Sequence, residues 1–177
     1  MKTILKVSLL FLFVTVSCSK NDDSDDNDLQ TNDKFFAQVN GDRFISGDPF
    51  IGASYNASSG ASAFAIVATA LENNNFAKAI GITFVSTDNE FEFRSGLVLT
   101  HNDEDLFLSG VYTETGSEEY DFVENTSMRL EFTKVDTSEK LVSGKFSFVE
   151  IVEDNSNNEK TYNVTNGEFT NLSYTED

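Results

Sequence analysis

The stretch KLVSGKFSFVEI, residues 140–151, decides how this chain folds. Phe146 and Phe148 stand two apart with Ser147 between them, so an extended backbone puts both rings on one face. Gly144 within that run marks a bulge or a close approach of another chain segment. The segment before it repeats the period. Met128, Leu130 and Phe132 point one way, while Arg129, Glu131 and Thr133 point the other. That alternation is the mark of a sheet with one wet face.

Working outward, the same period of two recurs. Phe35–Val39 reads as a strand, Asn40-Gly41-Asp42 as a tight turn and Arg43-Phe44-Ile45 as the returning strand, since Asn and Gly tolerate the positive φ of a hairpin. Gly47-Asp48-Pro49 breaks the pairing, and Gly52 to Gly60, rich in Ser, Asn and Ala, reads as a loop. Residues 61–70 (ASAFAIVATA) are apolar on both faces and predict a central strand. Glu72 to Asn75 form a turn before Phe76–Val85, where Ile80, Ile82 and Phe84 share a face. Phe91 and Phe93 alternate with Glu90, Glu92 and Arg94, as a strand would, and Leu97-Val98-Leu99 continues after Gly96. Leu106–Tyr112 is a further short strand. Asp154–Glu159 is a polar turn, Tyr162 and Val164 resume the alternation, Asn166-Gly167 bends the chain, and Phe169 with Leu172 pack the last strand. No span carries an amphipathic helix. Eight to ten short strands without helices predict an all-β domain, a single antiparallel β-sandwich or a partly closed barrel, with the sandwich preferred.

The chain divides into three: residues 1–17, residues 18–33 and a β-domain over 34–177. With 17 Phe, no Trp and one Pro in 177 residues, the domain has the means to build a core without disulfides. The formal net charge of −18 disfavours nucleic acid and anionic lipid surfaces as partners. Cys18 is the sole cysteine, so no intrachain disulfide forms.

Lys2 and Lys6 supply a positive start, Val7–Val16 an apolar run too short to span a bilayer, and small Ser17 precedes Cys18, the tripartite pattern of a secretory signal. The stretch Thr15-Val16-Ser17-Cys18 resembles the lipobox of bacterial lipoproteins, matching at Val16, Ser17 and Cys18 and departing at Thr15, where Leu is usual. The resemblance implies cleavage after Ser17 and lipidation of Cys18, with more than one acyl chain, as stable anchoring requires. Ser19–Asp28 then has no apolar residue and repeated Asp, so it predicts an extended, disordered tether. This Cys-Ser-Lys-acidic segment resembles the one that follows the lipidated cysteine in Bacteroidota lipoproteins. There, such stretches mark delivery to the outer face of the outer membrane. FFAQVNGDRF (35–44), SGKFSFVE (143–150) and VTNGEFTNL (164–172) together resemble a group of small all-β Bacteroidota lipoproteins of uncharacterised function. That resemblance implies an address and a fold but no activity, substrate or catalytic residue.

The chemistry-bearing residues are sparse. His101 is the only histidine, and neither Ser95, Ser109 nor Asp103 near it has nucleophile-elbow spacing. No paired spacing supports a transition metal. His101-Asn102-Asp103-Glu104-Asp105 is acidic enough to interest a hard cation but lacks the alternating ligands and turn glycine of a calcium loop. Glu114, Glu118 and Glu119 read as a second solvated acidic stretch. Carboxylate pairs for hydrolysis depend on the fold rather than on spacing. Tyr55, Tyr112, Tyr120, Tyr162 and Tyr174 read as core or rim packing rather than sugar platforms. No catalytic, cofactor or metal residue is therefore assigned. The expectation is a membrane-anchored module that binds an unknown protein or small molecule, with a lipocalin-like carrier and then a carboxylate hydrolase as alternatives.

Overall fold

The computed structural model describes residues 34–46, 51–58, 61–72, 75–88, 90–103, 105–115 and 120–176. Residues 1–17, Cys18, the tether to residue 33 and the Gly47-Asp48-Pro49 break lie outside the described residues.

Eleven strands and no helix are described. They are β1 (Phe35–Val39), β2 (Asp42–Ser46), β3 (Ile51–Ser58), β4 (Ala61–Glu72), β5 (Asn75–Ser86), β6 (Val98–Thr100), β7 (Leu106–Glu114), β8 (Tyr120–Asp136), β9 (Leu141–Asp154), β10 (Glu159–Ser173) and β11 (Thr175–Glu176). One sheet has the order β2-β1-β10-β9-β8-β6 and the other β11-β3-β4-β5-β7. Neighbouring strands are antiparallel except for the short β11–β3 pair. The two sheets pack face to face without closing into a barrel, so the fold is a β-sandwich.

Alternation builds this core. Phe146, Phe148, Leu130, Phe132, Val164 and Phe169 face inward from the six-stranded sheet, and Phe64, Ile66, Ile80, Ile82 and Phe84 face them from the other. The rings interlock edge to face, as Phe64 on Phe132 at 5.1 Å, or tilted, as Phe35 on Phe146 at 5.0 Å. Each such side chain contributes about 1.5–3 kcal/mol by leaving water. Polar ties lock the halves: Ser46 Oγ donates to the Thr69 carbonyl at 2.7 Å, joining β2 to β4. In the opening hairpin, Asn40 and Gly41 adopt φ of 52° and 91°, as a tight turn demands. Asn40 Oδ1 accepts the Asn163 N–H at 2.8 Å, which pins that turn to β10.

Three sequence expectations are corrected. The expected loop over Gly52–Gly60 contains β3, paired with β4 from Ile51↔Ala68 to Ser58↔Ala61. Its small residues have weak strand preference, and a long neighbour supplies the order instead. The expected strand at Phe91 and Phe93 is absent. An Asx turn, in which Asp88 Oδ1 accepts the Glu90 N–H at 2.9 Å, starts a crossing from one sheet to the other. Phe93 still stacks on Tyr55 at 4.4 Å and meets Phe132 at 5.0 Å, so the alternation reported burial rather than pairing. Asn166-Gly167 does not separate two strands. Asn166, at φ 52°, sits in a bulge inside continuous β10.

The outer faces differ in character. Arg129, Glu131, Lys145 and Glu168 stand on the outside of the six-stranded sheet, while positions such as Ala65, Val67, Gly81, Thr83, Phe107 and Ser109 face out from the other.

Candidate functional site

The inner face of the six-stranded sheet changes from aromatic to polar towards one end. Its register shows this row by row. Val164, Phe148 and Met128 lie side by side, then Tyr162, Glu150 and Asn125, then Lys160, Val152 and Phe122. Two bulges in β8, at Phe122–Glu124 and Asn125–Ser127, set the last two rows. A bulge re-aims side chains, and here Phe122 and Val123 are left half exposed in succession.

Strand β7, an edge of the other sheet, lies over these rows. Gly110 meets Phe148 so closely that an added Cβ would fall 2.5 Å from the ring, a spacing only glycine permits. An edge strand presents unpaired backbone groups. Side chains from the opposite sheet satisfy them. Asn125 Oδ1 accepts the Gly110 N–H at 3.0 Å and Asn125 Nδ2 donates to the Gly110 carbonyl at 2.8 Å. Two residues on, Glu150 Oε2 accepts the Tyr112 N–H at 2.8 Å. Beyond that, Glu114 closes the seam: its carboxylate accepts from Lys160 Nζ at 2.7 Å, from the Tyr162 hydroxyl at 2.9 Å and from the Tyr112 hydroxyl at 3.2 Å. The Lys160 ammonium also lies 4.7 Å from the Tyr162 ring centre, and the two tyrosine rings meet edge to face at 4.8 Å.

Between these strands opens a crevice of about 130 Å³, with Tyr112, Tyr162, Phe122 and Val152 on its walls and Glu150 at its floor. Glu150 is 1 % exposed. Its second oxygen has no hydrogen-bond partner among the described residues, and it is not sealed from solvent, so it is the group the crevice reaches. Burial pushes this carboxyl up to about 7, and the Tyr112 N–H bond draws it only part of the way back. The neighbouring titratable groups are shifted away from that range. The Lys160 hydrogen bond holds Glu114 below the usual carboxylate range, and burial first, then the Glu114 charge, raises the Tyr112 hydroxyl. Glu114 and Lys160 therefore stay charged and the tyrosines neutral through the range in which Glu150 titrates.

Of the residues singled out from sequence, Tyr112, Tyr162 and Glu114 meet at this seam, and the other described ones serve elsewhere. His101 is exposed in the turn after β6, where Asp103 Oδ2 accepts the Thr100 N–H at 2.7 Å and so shapes its own loop. Glu104 lies outside the described residues. Among the described residues no group of three His, Cys, Asp or Glu could hold a metal ion. Ser95 Oγ accepts the Val135 N–H at 2.8 Å and Ser109 Oγ donates to Asn125 at 3.2 Å, so one hydroxyl ties a turn to β8 and the other helps join β7 to β8 across the sheets. Tyr55, Tyr112, Tyr162 and Tyr174 are buried as core and rim, while the Tyr120 side chain lies outside the described set. Glu114 is the one whose reading changes. Read as one of a solvated acidic stretch, it is instead half-buried and paired across the sheets; Glu118 and Glu119 are outside the described residues. Glu150 was missed, although the inward parity of Phe146 and Phe148 runs straight on to it.

Comparison with protein-family models, with curated proteins and with solved structures returned no match.

Proposed function

We propose that this chain is an exported lipoprotein of the bacterial outer membrane, cleaved after Ser17 and anchored through Cys18, whose sandwich is a binding module. The resemblance of its motifs to small Bacteroidota lipoproteins supports the same reading. Residues 18–33 hold the domain off the membrane, and their acidic composition favours display on the outer face. The observation that carries the binding role is the crevice: a buried carboxyl with one oxygen unpartnered, framed by aromatic rings at an otherwise satisfied seam. Concave sites with a few placed polar groups in apolar walls are where ligands bind.

The two alternatives have less behind them. A carrier needs an open apolar interior, and interlocked rings occupy the space between the described sheets. A two-carboxylate hydrolase needs a second acid free to act, and Glu114 is committed to Lys160 and both tyrosines.

Metabolic labelling with a fatty-acid analogue tests the anchor. The wild-type chain should take up label and Cys18→Ala should not; equal labelling ends the lipoprotein reading. Crosslinking on intact cells tests the module, with a specific neighbour expected for the wild type and its recovery reduced when Phe122→Lys fills the crevice mouth. Recovery of bulk membrane proteins alone would count against a binding role.

A further inference from the structure

We propose that the crevice over Glu150 is a site for a primary alkylammonium group, with the ammonium on the free Glu150 oxygen and the alkyl chain along Phe122 and Val152. The inference rests on the binding-module reading and names the class of ligand.

Four features of the crevice select that class. First, a neutral apolar occupant would strand the Glu150 oxygen without a partner, and an anion would face the carboxylate. A donor is required. Second, the crevice is small, about 130 Å³, so it takes a compact head group with a short apolar part rather than an extended ligand. Third, only one carboxylate oxygen is free, because the other is held by the Tyr112 N–H at 2.8 Å. A guanidinium gains most from pairing with both oxygens, whereas an ammonium is a compact charge that needs one. Fourth, Tyr112, Tyr162 and Phe122 provide ring faces and edges around the position, and the Lys160 ammonium over Tyr162 shows that a cation is already accommodated on one of them. A metal ion is disfavoured by the same count, since one carboxylate oxygen is too few ligands and no three-residue ligand group is present among the described residues.

The crevice is lined by Val111, Tyr112 and Thr113 from β7, Phe122 from β8, Glu150 and Val152 from β9 and Tyr162 from β10, and the Glu114–Lys160 pair of β7 and β10 stands beside it, bonded to both tyrosine rings' hydroxyls or faces. Between pH 5 and 8 only Glu150 among them changes charge, because Glu114 is held down, Lys160 up and the tyrosines up. An alkylamine stays protonated throughout. Binding should therefore tighten as pH rises through about 7 and the carboxylate fills.

The test uses the lipidated mature chain in non-ionic detergent, following the Tyr112 amide by nitrogen–proton NMR. The probes are n-butylammonium, N-acetyl-lysine N-methylamide, n-butylguanidinium and n-butanol. The expected result is a saturable shift of the Tyr112 amide with n-butylammonium. It should tighten from pH 5 to 8, and weaken about tenfold or more in Glu150→Gln, which keeps the cap on Tyr112 and so keeps the fold. Butanol should not saturate, and the guanidinium should bind more weakly. If the lysine derivative binds as well as butylammonium, the source is a polypeptide side chain; if only the free amine binds, it is a small molecule. No saturable shift, an unchanged shift in Glu150→Gln, or an equal response to butanol overturns the inference. A specific crosslinked neighbour lost in Phe122→Lys, with no ammonium response, would overturn this ligand class while leaving the binding module standing.

Discussion

Glu150 continues the inward parity of Phe146 and Phe148, so the backbone delivers a carboxylate to a place where its neighbours on the strand put rings and Val152. Burial disfavours its charged form, and the consequence is a stability that depends on pH. With its folded pKa raised to about 7 from 4.5, this group's contribution is complete below the ordinary glutamate range and declines as pH rises through 7. The loss is on the order of 3 kcal/mol. Urea unfolding of the wild type should show this decline between pH 4.5 and 8 relative to Glu150→Gln, in which that part of the slope vanishes; parallel pH profiles for the two would show that Glu150 is ordinarily solvated. Glycines make a second contrast at this scale. A Cβ on Gly144 would lie 2.4 Å from the Glu131 carbonyl oxygen and 2.4 Å from the Phe169 ring, whereas one on Gly81 meets nothing within 4 Å. Gly144→Ala should destabilise by about 1–3 kcal/mol. Gly81→Ala should stabilise by about 0.4–1 kcal/mol through the unfolded chain. Thermal melts of the two variants check both signs.

At the scale of elements, β7 is the informative strand. Its free edge would offer a template for another chain, yet Asn125 and Glu150 from the facing sheet occupy its amides at alternate residues. The bulges in β8 are what allow Asn125 to reach it. Asn125→Ala should leave both Gly110 backbone groups without their side-chain partner, at a cost of about 1–3 kcal/mol. Amide exchange at Gly110 should then quicken by about tenfold or more, beyond any change at Ile66 and Ile82 in the middle of the same sheet; uniform acceleration would mean that the strand opens only with the whole domain. The strand periods of β5, β8 and β9 were legible because each strand alternates a large apolar face with a smaller or polar one, and β4 was legible as an apolar run bounded by turns. That of β3 was not, because only Tyr55 among its residues is buried and its order comes from pairing with β4. Phe91 and Phe93 misled for the complementary reason: rings two apart reach the core from a crossing segment as well as from a strand.

At the scale of the described domain, charge and core are kept apart except at Glu150. Acidic side chains such as Glu131 and Glu168 stand on the six-stranded sheet's outer surface and others such as Asp103 and Asp105 on turns, while a ladder of phenylalanines fills the space between sheets. The residue order by itself determined the all-β class, the opening hairpin and the inward faces, because alternation and turn chemistry are local and act at a range of a few residues. The seam of β7 on the six-stranded sheet was decided only by tertiary structure. Tyr112, Glu114, Asn125, Glu150, Lys160 and Tyr162 come from four strands, and nothing local ties a residue of one to a residue of another. Burial of a carboxyl is likewise a property of what packs over it, so the one titrating group of the crevice became visible only once β7 was laid across β9.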